Sequence, residues 1–164
     1  MIERYSRKEI KNIWNDKNKY SIWLDIEIAA AEAMEKLKII PKGVSKKVKS
    51  RAKIDVQRIL KIEEKVKHDV IAFLTSISEK VGKDARYLHK GMTSSDVLDT
   101  CFNLQLKQSG EILLKDINQL LISIKRQALK HKHTLCIGRS HGIHAEPITF
   151  CLLYTSDAAD EQDR

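Results

Sequence analysis

Proline, glycine and aromatic residues are scarce in this chain. Its 164 residues include 2 Pro, 6 Gly and 5% aromatic side chains. Proline and glycine are the usual breakers of regular structure, and no clear run of alternating apolar and polar residues indicates a strand. The sequence therefore predicts an all-α fold.

Cysteine is also rare. Cys101, Cys136 and Cys151 are an odd number, lie far apart and form no C-x-x-C pair. This pattern argues against a disulfide framework and against a cysteine zinc site. We expect no metal and no cofactor.

Long uncharged segments are missing as well. No run approaches the roughly 18–20 apolar residues that span a membrane, and charged residues begin at Glu3. The sequence predicts neither a signal peptide nor a membrane helix, so the default location is the cytoplasm.

Basic residues are in surplus, with a formal net charge of +8. The segment 151–164 is acidic, so the surplus lies in the first 150 residues. Such a surplus favours an anionic partner, either a phosphorylated metabolite or nucleic acid. The charge alone does not choose between them.

Apolar residues recur at helical spacing through most of the chain. One stripe predicts a helix from about Lys19 to Leu37, with Trp23 in the core, and we place Trp14 there as well. Asp55 and Asp69 are expected to cap the next two helices. The longest helical run begins at Ser94 or Ser95 and ends near Lys132.

The segment 138–147, GRSHGIHAEP, concentrates chemically active groups in an expected loop between helices. A positioned His141 or His144 could transfer a proton near neutral pH, because imidazole titrates there. The alternative is a polar connection whose histidines only cap helix ends. Taken alone, the loop supports both interpretations about equally.

Thr93, Ser94, Ser95 and Asp96 begin the longest predicted helix, where partial positive charge accumulates and anions bind. Plain N-capping is the competing interpretation. His68-Asp69 could likewise be an oriented acid or a capping pair.

Four segments together resemble a known family. The segment 89–100, HKGMTSSDVLDT, is similar to the first conserved segment of the fumarase/aspartase superfamily, in the form that its adenylosuccinate lyases have. The segment 138–147 resembles the second. Lys67-His68-Asp69 and Arg4-Tyr5-Ser6 fall where those enzymes have nucleotide-binding residues, so the ordered resemblance covers about residues 1–150.

The resemblance implies an architecture. We expect residues 1–110 to form a small N-terminal helical domain and residues 111–150 to begin a long central helix bundle, truncated here. The family assembles as a homotetramer whose active sites combine three subunits. Residues 151–164 depart from the family pattern, and we expect them to be a non-native tail.

The resemblance also implies a reaction and a role for each matched residue. The reaction is β-elimination of fumarate from adenylosuccinate and from the succinyl-carboxamide ribotide of purine synthesis. His141 corresponds to the general acid that protonates the leaving nitrogen, and His68 to a group close to the reacting centre. Thr93 and Ser94 correspond to residues that hold the succinyl carboxylates. The residues implied to bind the rest of the substrate are Arg4, Tyr5, Lys67, His68, Asp69 and His89.

The family's catalytic base is a serine on a later flexible segment that these 164 residues do not contain. We therefore expect no appreciable lyase activity from this chain alone. The expected partner is a small molecule, without nucleic acid or membrane. Three alternatives stay open: another lyase of the superfamily, a basic all-α nucleic-acid-binding module, or a non-catalytic helical assembly domain.

Overall fold

The structure, a computed structural model, describes residues 3–155. In chain order the helices are α1 (Lys8–Ile13), α2 (Asp16–Lys36), α3 (Val44–Arg51), α4 (Val56–Val66), α5 (Asp69–Val81), α6 (Ser94–Lys130) and α7 (Phe150–Thr155), and the strands are β1 (Leu135–Ser140) and β2 (Ile143–Thr149). Two short 3-10 helices lie at Glu3–Tyr5 and Gly82–Tyr87. Helices dominate, which confirms the predicted fold class.

The described residues fall into two compact units, divided between Ser109 and Gly110. The core of the first unit receives buried apolar side chains from α2, α3, α4, α5 and the beginning of α6. Tyr20, Trp23 and Phe73 meet there, with ring centroids 5.2–5.9 Å apart. Aromatic pairs in such geometry add to the stability that burial supplies. This core fixes α2 against α5.

Helix ends in the first unit are closed by side chains. Asp55 accepts the Arg58 N–H at 3.0 Å and caps α4, as predicted. At the beginning of α3 the carboxylate comes from another helix: Glu35 of α2 accepts the N–H groups of Gly43 and Ser45 at 2.9 and 2.6 Å. These backbone donors, Gly43 first and then Ser45, lower the pKa of the Glu35 carboxyl, since they stabilise its charged form.

In the second unit, the predicted loop at 138–147 is instead most of a β-hairpin. Strands β1 and β2 pair antiparallel from Leu135 opposite Thr149 to Ser140 opposite Ile143. His141 and Gly142 form the connection, with φ of +49° and +75°. Two successive positive φ angles, with glycine second, match the turn type that best fits the twist of a two-residue hairpin. The alternation along these strands is too short and irregular to be recognised from the sequence.

The long helix α6 has 37 residues, close to its predicted range. Its apolar stripe is exposed: Leu113, Ile117 and Leu120 are 56%, 52% and 58% accessible. No helix of the described chain is long and apolar enough to cross a membrane. Of the tail expected at 151–164, residues 156–164 lie outside the described residues.

Candidate active site

The beginning of α6 combines a capped first turn with three hydroxyl side chains. Thr93 directly precedes the helix, and its N–H donates to Asp96 Oδ2 at 2.8 Å, which is the returning half of a capping box. Asp96 therefore closes the first turn, and neither Ser94 nor Ser95 does so. Within residues 3–155 the hydroxyl groups of Thr93, Ser94 and Ser95 have no hydrogen-bond partner. They stay available at the positive end of a long helix.

The turn before α6 is anchored from the core. His89 has a left-handed backbone, φ +57°, and its N–H donates to Glu27 Oε2 at 2.6 Å. Its ring atom Nδ1 lies 2.7 Å from Glu27 Oε1. Glu27 is 1% exposed on α2. One carboxylate thus holds both the backbone and the side chain of His89.

Sequence reasoning missed Glu27, although a signal was present. It lies four residues after Trp23 and four before Ala31, so it shares their face of α2. Both neighbours are buried. A carboxylate on an apolar face is rarely buried unless something pairs with it, and here the pair comes from a histidine 62 positions later.

Lys67, His68 and Asp69 form the junction between α4 and α5. Lys67 ends α4 with a left-handed backbone, φ +55°. The N-cap of α5 is His68, whose Nδ1 accepts the Ile71 N–H at 3.5 Å. The predicted cap, Asp69, is the first residue of the helix instead, where its carboxylate accepts the Val70 N–H at 2.7 Å. That correction follows from the extended backbone of His68, which a cap requires.

The His68 ring is open to further contacts. Its Nδ1 is 3.5 Å from both the Ile71 nitrogen and Asp69 Oδ1, at the long limit of a hydrogen bond. The side chain is 47% exposed. Both contacts are long, so they hold the imidazole only weakly and leave much of it accessible.

Arg4 and Tyr5 lie in the first 3-10 helix. The Arg4 guanidinium stands 4.7 Å from the centroid of the Tyr5 ring, and Tyr5 is 73% exposed. A guanidinium stacked in this way keeps its in-plane N–H donors for a planar anion.

His141 occupies the exposed hairpin turn of the second unit, between Ser140 and Gly142. His144 lies opposite Arg139 on the neighbouring strand. A glycine is needed at 138, because a Cβ there would lie 2.9 Å from the Glu146 carbonyl oxygen. The backbone of this hairpin therefore presents His141 at its tip.

The structure brings only part of the predicted site together. His89, Thr93 and Ser94 lie together where α6 begins, and Lys67, His68 and Asp69 share the junction between α4 and α5. No hydrogen bond, ion pair or ring contact in residues 3–155 joins these two groups to each other or to Arg4 and Tyr5. In the same part of the chain, no three His, Cys, Asp or Glu side chains cluster as metal ligands would.

Comparison with known proteins gives the family. The sequence model described as lyase matches residues 3–162. The adenylosuccinate lyase of Synechocystis sp. is 52% identical over 150 residues, which are 92% of this chain and 35% of that enzyme. The adenylosuccinate lyase of Bacillus subtilis is 47% identical over 152 residues, 93% of this chain and 35% of that enzyme.

Solved structures agree on the fold. A 3-carboxy-cis,cis-muconate lactonizing enzyme from Pseudomonas putida is 25% identical, with a TM-score of 0.83 over 92% of this chain and 36% of that one. A fumarate lyase from Mesorhizobium sp. gives the same TM-score at 24% identity, over 91% and 36%. This chain spans about a third of the length of the curated relatives it matches. The chain belongs to the lyase family, and over most of its length it is similar to adenylosuccinate lyases.

Proposed function

We propose that this chain supplies substrate-binding and acid–base groups of an adenylosuccinate lyase. The reaction is elimination of fumarate from adenylosuccinate to give AMP, and from the succinyl-aminoimidazole-carboxamide ribotide in purine synthesis. The observation that carries the proposal is the beginning of α6, where the hydroxyls of Thr93 and Ser94 have no hydrogen-bond partner among residues 3–155 and lie at a helix N-terminus. Identity of about 50% to adenylosuccinate lyases supports this substrate over others used in the family.

The chemistry needs stabilised negative charge. When a base removes the proton beside a succinyl carboxylate, charge spreads into that carboxylate. Donors fixed before the reaction stabilise this charge without reorganising, each by a few kcal/mol. Thr93 and Ser94 take this part in the proposal, since their hydroxyls and the helix dipole both favour an anion.

The departing nitrogen needs a proton. We assign this step to His141, whose exposed position at a hairpin tip gives the imidazole access to a ligand. His68 is assigned to the reacting centre, because its half-exposed ring has no strong partner within the described residues. A positioned acid or base contributes about 10²–10⁴-fold to the rate.

The nucleotide needs cationic and polar partners. Arg4 and Tyr5 are proposed to bind the phosphate, and Lys67, Asp69 and His89 to bind the substrate around it. The stacked guanidinium of Arg4 and the exposed amine of Lys67 both suit this role. No step of the proposed elimination uses a metal or a cofactor.

The complete enzyme is proposed to be a cytoplasmic homotetramer, with residues 1–110 as the N-terminal domain and 111–150 as the beginning of the central bundle. The exposed apolar face of α6, with Leu113, Ile117 and Leu120, supports packing against other helices, because an apolar patch of this kind usually marks an interface. Besides its own copies, the proposed partner is the small-molecule substrate, without nucleic acid or membrane. Salt-dependent nucleic-acid retention that survived the loss of His141 and Ser94 would contradict this.

A chimaera tests the proposal. Residues 1–150 replace the matching segment of the Bacillus subtilis adenylosuccinate lyase, and adenylosuccinate cleavage is followed by absorbance. Ser94→Ala should lower kcat by about 10²-fold or more, whereas Ser95→Ala, the adjacent serine, should change it only a few-fold. His141→Gln should lower kcat by a similar factor, with His144→Gln as its control. An active chimaera that is indifferent to the loss of Ser94 and His141 would refute these roles.

A further inference from the structure

Glu27 is the most deeply buried acidic side chain that the described residues contain, with 1% of its surface exposed. It lies on α2 among Trp23, Ile28 and Ala31, which are buried as well. An ionised carboxylate in such surroundings costs several kcal/mol unless it is paired and hydrogen-bonded. Its presence therefore requires a strong partner.

That partner is a single residue, His89. Glu27 Oε2 accepts the His89 N–H at 2.6 Å, and Glu27 Oε1 lies 2.7 Å from His89 Nδ1. A carboxylate can only accept, so the imidazole must carry a proton on Nδ1. The second nitrogen, Nε2, has no hydrogen-bond partner within residues 3–155. Glu27 thereby determines which ring nitrogen is left for a ligand.

The same contact fixes the backbone before α6. His89 is held at φ +57°, and Gly91 follows at φ +72°. The Met92 N–H donates to the His89 carbonyl at 3.4 Å, which closes the turn weakly. Thr93 comes next, tied to Asp96. Glu27 anchors one end of this turn and Asp96 the other.

We propose that Glu27 is a positioning residue: it holds the His89 imidazole with its proton on Nδ1 and leaves Nε2 to meet the substrate beside the Thr93–Ser94 carboxylate site. Carboxylates orient the histidine ligands of metal sites in the same way, because one hydrogen bond sets both the tautomer and the plane of the ring. The proposal rests on the proposed function only for the identity of the substrate.

A Glu27→Gln substitution separates positioning from simple core filling. The glutamine amide has nearly the same shape, and its oxygen can still accept the His89 N–H. Its NH₂ group, however, donates to Nδ1 and so requires the ring proton on Nε2. The fold is kept while the tautomer is reversed. Glu32→Gln, an exposed glutamate of the same helix, is the matched control.

The first measurement uses nitrogen-15 NMR of the histidine rings in the whole chain at alkaline pH, where the neutral ring prevails. The His89 signals are identified by their loss in His89→Ala. We expect Nδ1–H in the unsubstituted chain and in Glu32→Gln, and Nε2–H in Glu27→Gln, with each major tautomer favoured about tenfold or more. An Nε2–H ring in the unsubstituted chain would overturn the proposal, even if Glu27→Gln failed to fold. An Nδ1–H ring in a folded Glu27→Gln variant would also overturn the proposal.

The second measurement uses the chimaera. Glu27→Gln should lower kcat/KM for adenylosuccinate by about tenfold or more, and it should have no further effect once His89→Ala is present. If Glu27→Gln lowered kcat/KM by the same factor with and without His89→Ala, Glu27 would act through the core and not through His89, which overturns the proposal. A chimaera without any activity would count against the proposed function, and the NMR result would still decide the role of Glu27.

Discussion

The hydrogen bond between Asp96 and the Thr93 backbone closes the first turn of α6. Asp96 Oδ2 accepts the Thr93 N–H at 2.8 Å, and Asp96→Ala removes that acceptor. Losing an N-terminal capping contact costs about 0.5–2 kcal/mol, and losing a negative charge in the first turn costs about 0.3–1 kcal/mol. We expect Asp96→Ala to lower the free energy of unfolding of the first unit by about 1–2 kcal/mol.

Asp99→Ala is the matched control for this substitution. Asp99 is exposed on the same helix, and its carboxylate makes no hydrogen bond within residues 3–155. Its loss should change the free energy of unfolding by less than about 0.5 kcal/mol. Guanidinium unfolding, followed by the fluorescence of Trp14 and Trp23, measures both variants. Equal midpoints for the two variants would refute the capping argument.

The same bond should matter for function. Thr93 and Ser94 carry the proposed carboxylate-binding hydroxyls, and Asp96 keeps their turn in place. Because a looser turn would misplace both hydroxyls, Asp96→Ala in the chimaera should lower kcat/KM by about tenfold, which corresponds to about 1.4 kcal/mol of transition-state stabilisation. An unchanged kcat/KM with a lowered stability would restrict Asp96 to folding alone.

Three further predictions concern stability and access. Folding lowers the pKa of Glu35. The stabilisation that its carboxylate gives the fold should therefore be complete above about pH 4.5, the ordinary pKa, and disappear as the pH falls through the lowered pKa of the folded state. Glu35→Gln should therefore lower the melting temperature at pH 7 but not under strongly acidic conditions, and a shift equal at both would contradict this. Burial raises the pKa of the Cys101 thiol, so iodoacetamide should alkylate it after the other two thiols and only on unfolding, as mass spectrometry would detect. Gly110→Ala, with open space around its Cβ, should stabilise α6 by about 0.5–1 kcal/mol. Gly138→Ala should destabilise the hairpin, because its Cβ would lie 2.9 Å from a carbonyl oxygen. Chemical denaturation measures both, and changes in the free energy of unfolding with the same sign would contradict this.

Helical periodicity predicted most of the fold because each helix in the first unit buries one apolar face. It predicted the burial of Trp23, which is 1% exposed, and was wrong about Trp14, which is 36% exposed. The Trp14 ring packs edge-on against Phe102, 6.0 Å away, and its N–H donates to Ser109 at 3.0 Å. Spacing along one helix cannot show that an aromatic ring will pack edge-on against another ring while its polar N–H stays near the solvent.

The candidate site was harder to predict because its contacts are not local. His89 and Glu27 are 62 positions apart, and no pattern near either residue indicates the other. The N-cap of α5 is His68 and not the predicted Asp69, because the cap is the residue with an extended backbone. Composition does not determine the end of a helix to within one residue. The hairpin was missed since two short strands with exposed faces lack the alternation that burial imposes.

Two histidines of the candidate site have left-handed backbone conformations, which are unfavourable for most residues other than glycine. Four non-glycine residues in the described chain have positive φ: Lys38, Lys67, His89 and His141. Lys38 lies two residues after the end of α2 and Lys67 directly follows α4, where such a conformation is a common way to end a helix. His89 and His141 need another explanation, because each pays about 1 kcal/mol or more that glycine would avoid. Glu27 holds His89 in place by two hydrogen bonds. At position 141, asparagine or glycine would suit the hairpin turn better than histidine does. Folding alone therefore favours a different residue there, and this supports the proton-transfer role proposed for His141.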